Sequence, residues 1–237
     1  KTKFGYKEIN FSDKPEMVNS IFTSVSNKYD IMNDLMSFGF HRCWKKQFIR
    51  MCDVPSAKNA LDIACGTGDI SLKIMRCNPS IKLTCLDPNK EMIDICKQKL
   101  LNNGFTKIDF QIKGIEEYFP KNKKFDLITV AFGFRNFTNY EKSIENIYNI
   151  LSPGGKFIIL DFKKPRNNVY SKLFKMYTLN VIPKIGKIVA KDEDSYRYLG
   201  ESIQTYFSPN EISDMLKKYG FIQIRIINLL EDVATIH

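Results

Sequence analysis

The chain has 237 residues, 43% of them hydrophobic, 13% aromatic and 26% charged. That is enough apolar material for one large α/β domain or a core domain with a helical insertion, and it excludes a disordered chain. The net charge of +10 admits a nucleic-acid or anionic-membrane partner as well as plain solubility, so where the charge lies matters more than its total.

Residues 1–56 read as mostly helical, with aromatic and methionine-rich faces, and stand apart as a lid segment. From about residue 57 short apolar runs alternate with helical patterns, as in βαβ units on a parallel sheet. A strand over Ala60–Ala64 ends in a glycine turn, and a helix runs from Asp69 to Arg76. The strand Lys82–Asp87, the helix Lys90–Asn102 and the strand Ile108–Ile112 follow. Phe125–Ala131 is apolar enough for a central strand. An amphipathic helix over Tyr140–Leu151 stops at Ser-Pro-Gly-Gly155, and Lys156–Phe162 is a fifth strand, closing an alternating α/β core over 57–162. Residues 163–207 are too long for a simple connection and form a second candidate lid. Residues 208–237 complete the sheet through a helix over Pro209–Tyr219, a cap at Gly220 and a strand over Gln223–Asn228.

The six cysteines, at 43, 52, 65, 77, 85 and 96, contain no CxxC pair, and only two histidines are present, so no metal is expected. Their apolar, strand-like surroundings favour free and mostly buried thiols over disulfides. No run of about 18 apolar residues suggests a membrane span. The opening Lys1-Thr-Lys-Phe-Gly-Tyr6 is neither a secretory signal nor an initiator methionine, and a chain trimmed of any targeting segment is expected.

The chemistry starts at Leu61-Asp-Ile-Ala-Cys-Gly-Thr-Gly-Asp69. A strand, a glycine turn and a helix make a cradle for a nucleotide-like ligand, with Gly66 and Gly68 allowing close backbone approach. The dinucleotide fingerprint wants a third glycine where Ser71 stands, and no P-loop lysine follows. Asp87 ends the second strand, where a carboxylate can accept from both hydroxyls of a ribose. A sulfonium cofactor needs no phosphate site and tolerates a nearby acid such as Asp62, so the loop fits S-adenosyl-L-methionine better than NAD. Asp62 can equally be a carboxylate that orders the loop.

Three separated segments carry a resemblance. They are Ser26-Asn-Lys-Tyr-Asp-Ile-Met-Asn-Asp-Leu-Met-Ser-Phe-Gly-Phe-His-Arg-Cys-Trp-Lys45, Ala131-Phe-Gly-Phe-Arg-Asn136 and Asp194-Ser-Tyr-Arg-Tyr-Leu-Gly-Glu-Ser-Ile203. In this order they resemble the signatures of the ubiquinone/menaquinone biosynthesis C-methyltransferases, over about residues 4–237. The resemblance implies a class I S-adenosylmethionine-dependent methyltransferase fold, Rossmann-like, with a mostly parallel seven-stranded sheet. It puts cofactor contacts on Thr67, Asp87, Gly114, Ile115 and Ala131. Gly114-Ile115 departs from a pair usually polar then small, and Ala131 from a common serine, so contacts there are expected from the backbone. Ala64 stands where other methyltransferases often have glycine, which asks for a negative φ.

The reaction implied is methylation of a ring carbon of a methoxy-polyprenyl-1,4-benzoquinol, a displacement that depends on orientation and on polarising a ring phenol. Arg135 and Asn136 follow the fourth strand, where such sheets bind ligands. Arg135 can stabilise a phenolate or, alternatively, tie its loop to a carboxylate, and Asn136 can hold a second ring oxygen. Tyr29 is a further candidate for the ring, with a helix anchor as its alternative. His41, among Phe38, Phe40 and Trp44, reads as a packed histidine more than as a base. Tyr196, Arg197 and Tyr198 are candidate pocket walls, though helical spacing keeps all three from facing it together.

Residues 163–191 carry Lys163, Lys164, Arg166, Lys172, Lys175, Lys184, Lys187 and Lys191 with no acid, interleaved with Tyr170, Leu173, Phe174, Tyr177 and Val181. This is either a basic amphipathic surface for a peripheral membrane contact or an ordinary lid helix. The resemblance further implies the matrix face of the mitochondrial inner membrane, with a bacterial cytoplasm as the alternative, and a homodimer or quinone-biosynthesis complex as the assembly. Methylation of demethylmenaquinone or another small phenol is the competing activity. No nucleic-acid partner is expected, because no RNA-binding motif accompanies the charge. A non-catalytic scaffold fits less well with an intact glycine loop and Asp87.

Overall fold

The computed structural model describes residues 1–26, 29–121, 123–164, 169–230 and 233–237, with backbone alone at 29–30, 36 and 169–171. The chain opens on a hairpin the sequence patterns did not reveal, β1 (Thr2–Phe4) and β2 (Lys7–Ile9), turning at Gly5 with φ +57°. The helical lid follows as α1 (Lys14–Val25), α2 (Tyr29–Ser37) and α3 (His41–Cys52). On α3 the buried set His41, Trp44, Lys45, Phe48, Ile49 and Cys52 recurs at spacings of three and four, so one face packs inward.

The alternating core is β3 (Asn59–Ile63), α4 (Asp69–Cys77), β4 (Lys82–Leu86), α5 (Lys90–Asn102), β5 (Asp109–Gln111), β6 (Phe125–Ala131), α6 (Tyr140–Ile150) and β7 (Leu151–Phe162). The second lid is α7 (Val169–Met176), a π-helical turn over Tyr177–Val181, α8 (Ile182–Ala190) and α9 (Glu193–Gln204). The chain ends in α10 (Pro209–Lys218), β8 (Ile227–Leu229) and β9 (Ala234–Ile236). Asparagine side chains cap α5 and α6, Asp192 caps α9, and a Ser208–Glu211 capping box starts α10, each satisfying backbone amides that a helix start leaves free.

The sheet is seven-stranded in the order β5-β4-β3-β6-β7-β9-β8, with all strands running in one direction except β9, which pairs antiparallel with both β7 and β8. The class I methyltransferase sheet implied by the resemblance is therefore present. The final strand expected over Gln223–Asn228 is confined to Ile227–Leu229, because Gln223 turns the backbone to φ +55°. Between β7 and β8 lies β9, a fully buried three-residue strand too short to show a periodicity of its own.

Side chains of each strand alternate between two apolar layers. Leu61, Ile63, Ile128 and Val130 pack with Phe134, Ile144, Ile147, Ile212 and Leu216 on one face. Ala60, Leu83, Cys85 and Leu127 pack on the other with Phe48, Ile74 and Ile93 and with lid residues Trp44, Tyr196 and Leu199. Full burial of each large apolar side chain contributes about 1.5–3 kcal/mol, so both lids are welded to the sheet through one layer. Adjacent β3 and β6 lead to helices on opposite sides, and the crevice at their carboxyl ends is where such folds hold ligands.

Candidate active site

Two cavities meet at that crevice and share Ala64 and Phe132 as a wall. The larger, about 460 Å³, is lined by Gly66, Asp87, Gly114, Ile115 and Asn136 together with apolar α1 residues including Val18 and Phe22. The smaller, about 20 Å³, is lined by Lys45, Asp62, Cys65, Thr67, Asp69 and Ala131. Most of the cofactor residues expected from the sequence thus gather in two adjoining chambers. Gly68 lines neither. It precedes α4 at φ +83°, and a Cβ there would stand 2.6 Å from Cys96 Sγ, so its part is to let the turn lie down on α5.

The expectation of a negative φ at Ala64 is corrected: φ is +50°, and Phe132 at the end of β6 has φ +58°. Two non-glycine residues in the left-handed region face each other across the switch point, a concentration of strain usual at ligand sites. Gly133 makes the approach of the two loops feasible, since a Cβ at 133 would stand 2.5 Å from Ala64 Cβ.

Asp87 accepts from the Gly66 amide (2.9 Å) and the Asn89 amide (2.9 Å). Burial nevertheless pushes its carboxyl up to about 6. Asp62 accepts from Ser71 Oγ (2.6 Å) and Thr129 Oγ1 (2.8 Å), the latter its register partner on β6. Burial pushes Asp62 up to about 7, because hydroxyl donors offset little of the cost of a charge removed from water. Asp69 behaves in the opposite way. Burial works to raise it, but Lys45 Nζ at 2.7 Å and Lys99 Nζ at 2.6 Å hold it well below the usual carboxylate range. Lys45 was not anticipated from the sequence. Its one legible signal was a lysine on the apolar face of α3.

The signature after β6 splits its two polar residues. Asn136 reaches the larger cavity, where Tyr198 donates to its Oδ1 (3.0 Å) and its Nδ2 is buried with no partner. Arg135 turns away from the cavity. Its guanidinium donates to Asp161 Oδ1 (2.6 Å), the Phe132 carbonyl (2.6 Å) and Ser202 Oγ (3.3 Å), and its amide to Asp161 Oδ2 (3.0 Å). This is the loop-to-carboxylate arrangement weighed above. Of Tyr196, Arg197 and Tyr198, the middle residue is exposed and paired with Glu193, while the two tyrosines are buried. Tyr29 starts α2, and its side chain lies outside the described residues. His41 is buried with Nε2 2.8 Å from Asp34 Oδ1, and burial with nearby Lys45 pushes its pKa down, which suits a packed, neutral ring.

The cysteines are free as expected, with 52, 65, 85 and 96 buried and 43 and 77 exposed. In the basic segment one expectation is corrected: Lys163 is 1% exposed and donates to Asn228 Oδ1, so it adds nothing to a surface charge. Arg166 lies outside the described residues.

Comparison with known proteins bears on the fold and the family. Among solved structures, the plantazolicin methyltransferase BpumL, in complex with a desmethylplantazolicin analogue and SAH, is 18% identical (TM-score 0.61, 92% of this chain, 78% of that chain). Human N-acetylserotonin methyltransferase in complex with SAM is 17% identical (TM-score 0.57, 87% and 53%). Both establish the fold. The chain is 43% identical over 243 residues to the ubiquinone/menaquinone biosynthesis C-methyltransferase UbiE of Rickettsia bellii, covering 100% of this chain and 97% of that one. It is 41% identical to the UbiE of Pseudoalteromonas translucida, covering 100% and 95%. A family model described as ubiE/COQ5 methyltransferase matches residues 10–237, and the chain belongs to that family.

Proposed function

We propose that the protein transfers the methyl group of S-adenosyl-L-methionine to a ring carbon of a methoxy-polyprenyl-1,4-benzoquinol. The observation that carries this reading is the larger cavity, which runs from the ribose-type acceptor Asp87 to the unpartnered amide of Asn136 beneath an apolar roof from α1. The residues fit the cofactor. Asp87 can accept ribose hydroxyls, Gly114 and Ile115 offer backbone beside an apolar slot, and the buried carboxyl of Asp62 lacks a cation of its own among the described residues. Its ionised form suits a ligand bearing ammonium and sulfonium charges. Lys45 offers a counter-charge to the ligand's carboxylate. The smaller chamber is about 20 Å³, so seating the amino-acid end there requires Phe132 or the Lys45–Asp69 pair to move.

When bound, the cofactor supplies an electrophilic methyl group. The chain's own task is orientation: Asn136 Nδ2 donates to a ring oxygen while Tyr198 fixes the amide's direction, presenting one ring carbon to the methyl. The phenolic proton leaves to water, and after the methyl is taken the proton on that ring carbon leaves as the phenol oxygen is reprotonated, which restores the aromatic ring with one proton released per transfer. Arg135 acts through the loop it anchors rather than on the ring. The test is product analysis after incubation with S-adenosyl-L-methionine and either a short-chain methoxybenzoquinol or a demethylmenaquinol. A new carbon–methyl bond on the methoxybenzoquinol is expected, and methylation of oxygen alone, or of demethylmenaquinol alone, defeats the substrate assignment.

The basic insertion supports a peripheral membrane contact for a substrate whose tail resides in lipid. Phe174 and Tyr177 turn inward, whereas Leu173 and Met176 are each 54% exposed and Ile188 is 81% exposed. Exposed Lys172, Lys175, Lys184 and Lys187 flank them, the composition of an interfacial surface. No helix among the described residues is long and apolar enough to cross a membrane. Liposome co-sedimentation is expected to require anionic lipid and to weaken with salt and in Ile188→Asp. The two UbiE relatives described above are bacterial and lend no support to the mitochondrial placement expected from the sequence.

A further inference from the structure

Beneath the glycine turn lies a cluster that the cofactor reading does not use. Cys65 belongs to the turn itself, Cys85 is the penultimate residue of β4, and Cys96 sits within α5. Their three Sγ atoms lie within 4.8 Å of one another, and all three residues are buried. Each thiol comes from a different element, so the fold, not local sequence, brings them together. The packing is close: Gly68 lies directly against Cys96 Sγ, and Cys85 Sγ is 3.3 Å from Ser71 Oγ. Cys65, 8% exposed, also lines the smaller cavity, which gives the cluster a route to solvent.

We propose that Cys65, Cys85 and Cys96 form a buried trithiol site for a thiophilic trivalent metalloid, with trivalent arsenic as its type. The coordination number argues for this class. Among the described residues no fourth histidine, cysteine or carboxylate joins the group, whereas zinc prefers four ligands. Asp62, a carboxylate close to the group, is engaged with Ser71 and Thr129. Charge argues the same way. Three thiolates around a divalent ion leave a net negative charge in a wholly buried place near Asp62, which is costly, whereas three thiolates around a trivalent centre leave none.

The step is a ligand exchange without redox change. Arsenous acid, As(OH)3, and three thiols give one As(S-Cys)3 centre and three waters; three As–O and three S–H bonds break, three As–S and three O–H bonds form, and arsenic stays trivalent. Because Cys65 is part of the turn, occupancy ties that turn to β4 and α5 and fixes a loop that must adjust when a ligand enters. Weakened cofactor binding is the consequence. That consequence rests on the cofactor reading above, while occupancy of the site does not.

The test titrates the reduced full chain with sodium arsenite. Native mass spectrometry is expected to show one arsenic per chain. Prolonged alkylation of the folded protein, mapped by peptide with and without arsenite, is expected to be slowed by arsenite at Cys65, Cys85 and Cys96 and unchanged at Cys43, Cys52 and Cys77. Cys43→Ser/Cys77→Ser is expected to bind as the parent does, and Cys65→Ala to bind at least tenfold more weakly. Absence of stoichiometric arsenic, protection of a different set of cysteines, or full binding by Cys65→Ala each overturns the proposal. The peptide map on unaltered protein stands even where a variant fails to fold. Cofactor affinity, read by calorimetry, is expected to fall about tenfold in the loaded protein; unchanged affinity with arsenic bound at the three thiols rejects the coupling and leaves the site.

Discussion

Two buried aspartates near the carboxyl ends of their strands are solved in opposite ways. Asp161 on β7 meets the guanidinium of Arg135 at 2.6 Å and also accepts from the Arg135 and Phe162 amides, with both side chains almost wholly removed from solvent. Asp62 on β3 meets only the hydroxyls of Ser71 and Thr129 among the described residues, and burial lifts its pKa to about 7. One carboxylate has its charge matched inside the protein and becomes a lock, tying the loop after β6 to α9 through Ser202. The other has its charge unmatched beside a cavity and is the place where a cationic ligand gains most. Here the paired acid serves architecture, and the unpaired one is the better candidate for a cationic ligand.

Breaking the lock has the largest expected effect. Arg135→Ala leaves Asp161 buried and unpaired, which costs about 3–5 kcal/mol of stability, and Asp161→Ala costs a similar amount. The double variant is expected to lose much less than the sum, because neither charge is then stranded. Urea unfolding of the three variants measures this. If Arg135→Ala keeps its unfolding midpoint and loses only turnover, the guanidinium belongs to the ring after all.

The cofactor side responds in binding rather than folding. Asp87→Ala removes the proposed ribose acceptor and the partner of the Gly66 amide together. A loss of about 100-fold in S-adenosyl-L-methionine affinity, roughly 3 kcal/mol, is expected by calorimetry.

The pH dependence sharpens the contrast further. Asp62 has its pKa raised in the folded protein from 3.8 to about 7, so the folded chain holds that proton more tightly than the unfolded chain. The ligand-free protein therefore loses stability as pH rises between those values, and no further above them. A cationic ligand favours the ionised carboxylate, so affinity rises with pH over the same window and levels off above about 7. Asp87, lifted to about 6, adds to the lower part of the window. Asp62→Asn is expected to flatten the upper part; a profile unchanged by that substitution removes Asp62 from the cofactor site.

Much of this was legible in the sequence, and the reasons differ by residue. β3, β4 and β6 are short apolar runs punctuated by turn residues, and Asp87 stands at a fixed place after its strand, so local pattern located them. The two chambers proposed for the cofactor collect residues from those same strand ends. The lock was half legible: Arg135 stood out, but its partner Asp161 lies inside another strand, and only the register of β6 on β7 brings the two together. Lys45 and the three thiols were hidden for the same reason, since each depends on which element packs on which. The backbone at Ala64 ran against propensity, because contact between two loops there outweighs the preference of one alanine.

That contact supplies the smallest and most selective test. Gly133→Ala places a Cβ 2.5 Å from Ala64 Cβ, a clash expected to cost about 1–3 kcal/mol. Ala64→Gly alone exchanges relief of a left-handed φ for the greater freedom of glycine in the unfolded chain, and a net change within about 1 kcal/mol is expected. In the Ala64→Gly background the nearest other atoms to a Cβ at 133 are Val130 Cγ2 at 3.4 Å and the Ala64 carbonyl at 3.8 Å, both ordinary contacts. Gly133→Ala should then be nearly silent, so the double variant is more stable than Gly133→Ala alone. Additive costs in denaturant unfolding would mean that the two loops do not press on one another, and that the left-handed backbone at 64 and 132 has a separate origin in each.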